Sequence, residues 1–437
     1  MQIGAKNSEG IISSGVFFHE ILTKVITDSG LWKDDRKKTH SFVLSPSVFQ
    51  ISVAAKKELE QLGHAINDCL FGLSHIAVIA YDKVLNYRGA WMLVRQVLST
   101  GVPKIYQELQ GMNIKHLPKM LKVDLMVSED GRFRIAEIDG HNKHGLGYST
   151  LCKQFCQAVS PEVTVFPGVV ATLAKEVRTR GYDEVKLFYA DQERFYVPEF
   201  EVVAQEFARH NINCQVVSEM SATSEFLEKG LFLDLPFLYQ RPGLYQTIVP
   251  AYKEGKVQFV IPPKPFFGAK GVLALLRNDT NDKHLEALLH SFIKKESLEL
   301  VRNYIPQTFL VGKHATRSAQ VMELVASKPY VLKESISSGM KGVFFSNEKD
   351  FMEALKRAEK SSMNWVLQEQ VENQPQTFSW IEEQENGEPI LKTGDGWYMR
   401  VIAQYIGRQL AEVIVTSRRD RAVHGGKDCI QLGTMIK

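Results

Sequence analysis

The chain has 437 residues, of which 44% are hydrophobic and 24% charged, and its formal net charge is +3. A chain of this length is too long for a single hydrophobic core, so we expect two or three structural units. The near-neutral charge argues against nucleic-acid binding. The lack of a long apolar run argues against a membrane span. The first residues, MQIGAKNSEGIISSG, lack the pattern of a secretory signal, and five cysteines are few and odd in number, so we expect a cytoplasmic protein with reduced thiols.

Helical spacing characterises the first part of the chain, residues 1–120. Apolar residues recur at helical intervals in the segments FFHEILTKVI, SVFQISVAAKKELEQLGHAI and WMLVRQVLSTG, which Gly and Pro separate. We therefore expect a helical N-terminal cap region.

From residue 121 the pattern changes to strands. LKVDLMV, the turn SEDG and RFRIAEID predict an antiparallel hairpin within residues 121–160. Because strand side chains alternate between two faces, Glu137 and Asp139 share a face, and Asp124 lies across the hairpin. Carboxylates suit Mg²⁺, which takes oxygen ligands and leaves positions for phosphate and water. The alternative is a solvated acidic hairpin, against which the small-residue loop GHNKHGLG and the apolar character of the strand both weigh.

Strand and helix alternate over residues 161–262. VKLFYA and INCQVV have the character of strands, and the amphipathic helix PEFEVVAQEFARH lies between them. Alternation of this kind is typical of parallel sheets with helices on their faces. We therefore expect a small parallel α/β unit that ends near Pro262.

Lysines and glycines stand out in the last part of the chain, residues 263–437. In YVLKESISSGMKGVFF, Lys333 lies near the end of a strand, and a loop of Ser and Gly residues follows. Such a loop can lay backbone N–H groups over phosphates, and the lysine supplies a compact positive charge. Upstream, Lys270 lies at the start of a helix in IPPKPFFGAKGVLALLRN. The alternatives are a hairpin loop with an incidental lysine and a solvated Lys270.

Two further strands and one basic segment contribute candidate site residues. The apolar strand in WVLQEQV ends at a hinge whose backbone is suited to pairing with an adenine edge, and this hinge contains Gln368, Glu369 and Val371. Arg400 alternates with inward positions in the apolar hairpin YMRVIAQYIGRQLAEVIV, so its guanidinium either points into a site or lies on the surface. The glycine-containing basic segment SRRDRAVHGGKD at 417–428 is compatible with an anion site.

The order of these features resembles that of the circularly permuted ATP-grasp enzymes, and within them the glutathionylspermidine synthase-type ligases without their amidase domain. In an ordinary ATP-grasp protein the magnesium ligands, an acid and then Glu-x-Asn, follow the arginine strand. Here VDLM, EDG and AEID precede it. Three further segments are similar to segments of the family: KPFFGAKGVLALL, YIPQT and GGKDCI. The resemblance therefore covers residues 121–437. The order of the motifs along the chain is more specific than any single motif.

The resemblance implies an α/β (α+β) fold: a circularly permuted ATP-grasp core with a small parallel α/β pre-ATP-grasp unit and a helical N-terminal region. It assigns residues 121–160 to a metal-binding hairpin of that core and residues 263–437 to the nucleotide-binding subdomains. The site residues that it implies are Lys270 and Lys333 for the ATP phosphates, Gly339 and Gly342 for a flap, Arg400 for the transferred phosphoryl group, and Asp124, Glu137 and Asp139 for Mg²⁺. Asp139 departs from the family pattern, which has Asn there.

The activity implied is ATP-dependent ligation of a carboxylate to an amine, in which an acyl phosphate forms, an amide or peptide bond results, and ADP and phosphate leave. ATP and Mg²⁺ are the expected cofactors, and small-molecule or peptide carboxylates and amines are the expected substrates. Neither nucleic acid nor a membrane is an expected partner, and homo-oligomerisation stays open. The alternative is a nucleotide-binding regulatory protein on the same fold without ligase turnover, against which the set of metal carboxylates argues.

Overall fold

The structure of the chain is a computed structural model. It describes residues 42–43, 45–112, 115–159, 161–162, 164–312, 318–337, 342–361, 364–383, 386, 388–425 and 429–437. Within this part of the chain, the strands build one nine-stranded sheet and two four-stranded sheets. The mixed α/β class expected from the sequence is confirmed.

In the part of the chain that the structure describes, two short strands precede the first helices. They are β1 (Phe42–Val43) and β2 (Phe49–Ile51), and the helices are α1 (Val53–Val78), α2 (Arg88–Ser99) and α3 (Lys104–Gln110). The expected helix over FFHEILTKVI lies outside the described residues. The expectation of helix at residues 49–51 is wrong, because this segment pairs in parallel with Thr434–Ile436 at the other end of the chain. Such a distant partner leaves no signal in local spacing.

Helix α1 lies close against the largest sheet. It starts where the Ser52 hydroxyl accepts a hydrogen bond from the Ala55 N–H at 3.1 Å, as an N-cap. A Cβ atom on Gly63 would come within 2.2 Å of the Tyr405 ring, so glycine allows this approach. In the described part of the chain no single helix is long and apolar enough to cross a membrane; α1 and the segment Asp82–Ser99 meet that test only as a pair bent by 119°.

The predicted acidic hairpin is confirmed as β3 (Met120–Val127) and β4 (Phe133–Asp139). Asp124 lies directly opposite Glu137, and a register shift beside this pair leaves Ala136 as an extra residue in β4. β3 also pairs antiparallel with the long strand Pro389–Ile406. The hairpin thereby joins the C-terminal strands in one sheet.

A parallel four-stranded sheet forms from the segment after the hairpin. The elements of this segment are α4 (Leu146–Val159), β5 (Thr164–Val165), α5 (Val169–Thr179), β6 (Glu184–Tyr189), α6 (Val197–Arg209), β7 (Asn213–Ser218), α7 (Ser224–Leu227), β8 (Gly230–Phe232), α8 (Tyr245–Lys253) and β9 (Val257–Phe259). The strand order is β7-β6-β8-β9, and each neighbouring pair runs parallel. Leu173, Leu187 and Phe200 belong to the buried apolar cluster between this sheet and its helices. The predicted parallel α/β architecture is confirmed here.

The last part of the chain alternates helices and strands before it ends in long strands. Its helices are α9 (Gly271–Arg277), α10 (Lys283–Phe292), α11 (Lys295–Tyr304), α12 (Ser318–Ser327) and α13 (Phe351–Lys360). Its strands are β10 (Thr308–Val311), β11 (Tyr330–Glu334), β12 (Val343–Phe345), β13 (Trp365–Glu369), β14 (Gln376–Glu383), β15 (Pro389–Ile406), β16 (Gln409–Arg418) and β17 (Cys429–Ile436). Short 3₁₀ helices lie at Tyr81–Tyr87, Asp191–Tyr196, Pro242–Leu244 and Pro265–Gly268.

Two sheets form from these strands. The second four-stranded sheet is antiparallel, in the order β10-β13-β11-β12. The nine-stranded sheet has the main order β1-β17-β16-β15-β3-β4, with β14 on β15 and both β2 and β5 on β17. The sequence indicates β16 and the second half of β15, from Tyr398 onward, whereas the first half of β15, β14 and β17 were not predicted. Apolar residues of α1, α2, α9, α10 and α11 are buried in one cluster with residues of the large sheet and form the main core.

Gly433 marks a close approach of α4 to the nine-stranded sheet. A Cβ atom at this position would lie 2.2 Å from the Cys152 carbonyl oxygen and 2.7 Å from the Cys156 Cβ atom. We expect Gly433→Ala to lower the free energy of unfolding by about 1–3 kcal/mol, because the backbone of α4 must move. Urea denaturation measures this, with Gly89→Ala as the control, since the added methyl group there meets nothing within 4 Å beyond its chain neighbours and the backbone of its own helix. Equal stability of the two variants would contradict the close packing.

Candidate active site

A cleft of about 290 Å³ lies between the antiparallel sheet β10-β13-β11-β12 and the β15-β3-β4 end of the nine-stranded sheet. Its walls come from segments that are far apart in the chain. Its lining includes most of the residues that the sequence assigned to one site: Asp124, Glu137, Lys270, Lys333, Gln368, Glu369, Val371 and Arg400. The tertiary structure therefore brings these side chains to one place.

Two ion pairs lie side by side in the cleft. The Arg400 Nη1 atom is 2.8 Å from Asp124 Oδ2, and Lys270 Nζ is 3.0 Å from Glu137 Oε1. Since Asp124 and Glu137 are direct cross-strand partners, the four charges form one compact group. Lys270 immediately precedes α9, as predicted, and its ammonium also donates to the Ser337 carbonyl oxygen at 3.0 Å. The Arg400 Nε–H is buried without a hydrogen-bond partner among the described residues.

Lys333 reaches from β11 toward the nine-stranded sheet. Its ammonium donates to Gln368 Oε1 at 2.6 Å and to the Ala136 carbonyl oxygen at 3.1 Å. Burial lowers the pKa of Lys333 to about 8, although the Glu137 carboxylate opposes the shift. The lysine stays mostly protonated at neutral pH, so it adds a third cation to Lys270 and Arg400.

Asp139 does not join the other two predicted metal ligands. Its carboxylate is 2.9 Å from Lys122 Nζ and 2.8 Å from His141 Nδ1, and it accepts a hydrogen bond from Asn142 at 2.7 Å. Burial opposes ionisation, but Lys122 and His141 hold the pKa of Asp139 well below its usual range. Among the described residues, no group of three or more His, Cys, Asp or Glu side chains is arranged to hold a metal ion. The expected cluster of three carboxylates is therefore not assembled in this structure.

The remaining donor set nevertheless fits a magnesium ion shared with a nucleotide. Asp124 and Glu137 present carboxylate oxygens side by side, and Mg²⁺ bound with ATP takes only one or two carboxylates, since phosphates and water supply its other ligands. Burial raises the pKa of Asp124, Arg400 opposes the shift, and Glu137 adds to it. A cation between the two carboxylates would relieve their repulsion. In this structure Arg400 and Lys270 provide that compensation.

The structure places one of the two glycines predicted for a flap. Gly339 lies outside the described residues. Gly342 has φ of 81°, which glycine tolerates best, and its carbonyl oxygen accepts a hydrogen bond from the Glu334 N–H at 2.8 Å. A Cβ atom at Gly342 would lie 2.9 Å from the Glu334 side chain. Gly342 thus closes the β11-β12 hairpin, and its neighbour Val343 lines the cleft.

The predicted adenine hinge borders the cleft at the end of β13. The N–H groups of Glu369 and Gln370 already donate to neighbouring backbone carbonyl oxygens, at 2.8 and 3.0 Å. Gln368 is only 3% exposed and directs its side-chain amide to Lys333. A backbone N–H donor for an adenine edge would therefore come from Val371 or the residues that follow it along the same cleft.

The apolar and aromatic walls of the cleft were not predicted. Val331, Phe345 and Tyr398 line it, and Arg421 lies with its guanidinium 5.8 Å from the centre of the Tyr398 ring. Apolar and aromatic strand residues that line a cleft have the same spacing along the chain as those that fill a core. The sequence therefore gives no signal that distinguishes cleft-lining residues from core residues. Arg421 belongs to the basic segment compatible with an anion site, of which residues 426–428 lie outside the described part of the chain.

The loop after β4 fastens the hairpin to the parallel sheet. Lys143 is buried in this loop, with its ammonium 3.0 Å from Glu193 Oε1 and 3.1 Å from Asp234 Oδ1. Burial alone would lower the pKa of Lys143, but Asp234 and Glu193 raise it above its ordinary value. Glu199 accepts hydrogen bonds from two N–H groups of the same loop, and burial raises its pKa to about 7. The position of β4 relative to the parallel sheet therefore depends on buried charges.

Comparison with solved structures identifies a shared fold. A glutathione synthetase-like effector from Globodera pallida, in its apo form, superimposes with a TM-score of 0.54 and 11% sequence identity, over 98% of this chain and 99% of that chain. A putative γ-glutamylcysteine synthetase from Methylobacillus flagellatus reaches a TM-score of 0.35 at 11% identity, over 77% of this chain and 84% of that chain, which is too low to support an argument. No family model and no curated protein matches the chain. At 11% identity the first comparison concerns the fold alone, and the chain has a glutathione synthetase-like fold.

Proposed function

We propose that the chain is an ATP-dependent ligase that joins a carboxylate to an amine through an acyl phosphate. The observation that carries this proposal is the convergence in one cleft of the cations Lys270, Lys333 and Arg400 with the paired carboxylates Asp124 and Glu137. Such cations suit the phosphates of a nucleotide, and such carboxylates suit the metal that accompanies it. The glutathione synthetase-like fold agrees with this chemistry by analogy.

The reaction needs positioning and charge neutralisation more than acid or base chemistry by side chains. An oxygen of the substrate carboxylate bonds to the γ-phosphorus while the bond to the β-γ bridging oxygen breaks, and ADP leaves. The amine then bonds to the acyl carbon, phosphate leaves with the electron pair of the C–O bond, and the amine proton passes to solvent. Lys270 and Lys333 would hold the phosphates, and Arg400 would face the transferred group. Mg²⁺ held by Asp124 and Glu137 would neutralise further phosphate charge.

We also propose that this is a circularly permuted ATP-grasp core. The acidic hairpin precedes the nucleotide-binding lysines in the chain, yet it pairs with β15, which carries Arg400. In an unpermuted chain, carboxylates of this type follow the arginine strand. The proposed units are a cap region at 1–120, the metal-binding hairpin at 121–160, the pre-ATP-grasp unit at 161–262 and the nucleotide-binding subdomains at 263–437.

The proposed partners follow from the same chemistry. Small-molecule or peptide carboxylates and amines are the substrates, and neither nucleic acid nor a membrane takes part. A cytoplasmic location would give the enzyme access to ATP, and homo-oligomerisation is compatible with this function.

Product analysis tests the proposed function. The protein is incubated with Mg²⁺, ATP and pools of carboxylic acids and amines, and ADP, AMP and phosphate are measured. We expect ADP and phosphate to accumulate in equal amounts, with sustained turnover only when both substrate classes are present. Formation of AMP would exclude the acyl phosphate. Binding of ATP without release of ADP in any combination would instead indicate a nucleotide-binding regulatory protein.

A further inference from the structure

A β-bulge lies where the two sheets meet in the cleft. The register shift leaves Ala136 as an extra residue between the paired positions Ile135 and Glu137 of β4. A bulge interrupts the ladder of hydrogen bonds and leaves backbone groups for other partners. Here the Ala136 carbonyl oxygen accepts a hydrogen bond from Lys333 Nζ, and the Ile135 carbonyl oxygen accepts one from Gln368 Nε2. The bulge therefore binds two side chains of the opposite sheet.

Gln368 uses both ends of its side-chain amide. Its Oε1 atom accepts a hydrogen bond from Lys333 Nζ at 2.6 Å, and its Nε2 donates to the Ile135 carbonyl oxygen and to Thr308 Oγ1, each at 3.3 Å. These partners define the orientation of the amide, since an ammonium only donates and a carbonyl only accepts. Gln368 is 3% exposed, so bulk water does not replace its partners.

Lys333 depends on this amide for a defined position. A lysine side chain is flexible, and its ammonium has no preferred direction of hydrogen bonding. Its contact with the Ala136 carbonyl oxygen, at 3.1 Å, is longer than its contact with Gln368. Gln368 lies directly opposite Val331 of the neighbouring strand, and Val331 is two positions before Lys333. The side chains of Gln368 and Lys333 therefore lie on the same face of the sheet. The short hydrogen bond to Gln368 therefore decides where the ammonium lies.

We propose that Gln368 is a positioning residue that holds the Lys333 ammonium where the phosphates of ATP bind. The inference rests on the function proposed above, and it gives Gln368 a role other than a backbone contact with adenine. The bulge at Ala136 supplies the second anchor and so ties Lys333 to β4, the strand that carries Glu137. Gln368 acts through Lys333 and has no assigned contact with the nucleotide.

Calorimetric titration of the full chain with ATP and, separately, with adenosine tests this role. Gln368→Met keeps the volume of the side chain and removes the acceptor. We expect it to weaken ATP binding about tenfold to a hundredfold, the range for one hydrogen bond to a charged group, and to leave adenosine binding within about twofold. A merely structural role would weaken both ligands alike.

Gln307→Met is the matched control. Gln307 directly precedes β10 of the same sheet, and its Oε1 accepts a hydrogen bond from the Tyr330 hydroxyl at 2.6 Å. It lies outside the lining of the nucleotide cleft. Its replacement should leave the binding of ATP and of adenosine unchanged.

A variant that already carries Lys333→Met shows whether Gln368 affects ATP binding only through Lys333. In that background Gln368→Met should have no further effect on ATP binding, because the group that it positions is absent. A further tenfold loss there, or equal losses for ATP and adenosine in the single variant, would overturn the positioning role. If the unaltered chain does not bind ATP, the proposed function and this role both fail. If it binds ATP but the variants do not behave as expected, only the positioning role fails.

Magnetic resonance of the unaltered chain covers the case in which Gln368→Met does not fold. With isotope-labelled lysine, the ammonium signal that disappears in Lys333→Met should exchange slowly with water before nucleotide is added. Slow exchange is expected because two acceptors hold the part-buried ammonium. A signal lost to fast exchange with water would overturn the proposal.

Discussion

Glu137→Gln should lower ligase turnover by about 100-fold or more, the range seen when one preorganised electrostatic group is removed from a reaction centre. The substitution keeps the size of the side chain but removes a charge that offsets Mg²⁺. Since Lys270 Nζ lies 3.0 Å from Glu137 Oε1, it also frees this lysine for a nucleotide. We therefore expect ATP binding in the absence of Mg²⁺ to be maintained or strengthened while turnover falls.

The assay for Glu137→Gln compares saturating with limiting Mg²⁺, because saturation hides a partial loss of metal affinity. Calorimetric titration with ATP in the presence of a chelator measures nucleotide binding. Glu129→Gln, in the turn of the same hairpin, is the control, since that side chain is exposed and its replacement should leave turnover unchanged. Wild-type turnover of Glu137→Gln at both concentrations of Mg²⁺ would exclude the metal role and favour a solvated hairpin.

Lys143→Met should lower the free energy of unfolding by about 3–5 kcal/mol, the usual cost of removing one partner from a buried ion pair. The ammonium of Lys143 lies 3.0 Å from Glu193 and 3.1 Å from Asp234, and methionine leaves both carboxylates buried without their cation.

The effect of Lys143→Met should also depend on pH through Asp234. Burial raises the pKa of Asp234 from 3.8 to about 6, against the effect of Lys143. A carboxyl group with a raised pKa in the folded chain makes stability fall as the pH rises through this range. Without Lys143 the pKa of Asp234 rises further, so the variant should lose more stability at higher pH than the unaltered chain does.

Urea denaturation at about pH 5 and about pH 8 measures both effects of Lys143→Met. Lys186→Met is the matched control, because Lys186 is also a buried lysine and lies in β6 of the parallel sheet. Its ammonium donates to the carbonyl oxygens of Phe226 and Lys229, at 2.8 and 2.9 Å, instead of to carboxylates. The control should cost about 1–3 kcal/mol. Losses of equal size and equal pH dependence in the two variants would contradict the role assigned to Lys143.

The acidic hairpin was predictable because its information is local. Alternating apolar residues in LKVDLMV and RFRIAEID indicate two strands, and SEDG indicates the turn between them. The period of two along a strand predicts that Glu137 and Asp139 share a face. The direct pairing of Asp124 with Glu137 depends instead on the bulge at Ala136, which the local pattern does not show. The parallel α/β architecture was predictable for the same reason, since its strands and helices differ in local periodicity.

Asp139 and Gln368 show where local pattern stops being informative. Alternation places Asp139 on the face of Glu137, but the register sets Lys122 opposite Asp139, and the resulting ion pair of 2.9 Å draws the carboxylate away from the cleft. Gln368 lies near the end of an apolar strand, as predicted, but its amide is oriented by Lys333 and by a bulge in a strand of another sheet. In both cases the deciding partner is set by register or by contact between sheets.

The sequence by itself determined the types of the main elements and the order of lysines, arginine and carboxylates, because propensity and periodicity are properties of short segments. Only the tertiary structure decided which charges meet, such as Arg400 with Asp124 and Lys270 with Glu137. It also decided that β2 pairs with β17 and β3 with β15, which joins distant parts of the chain. Strand ladders and ion pairs form through space, and their energies depend on registers and distances that spacing along the chain does not encode.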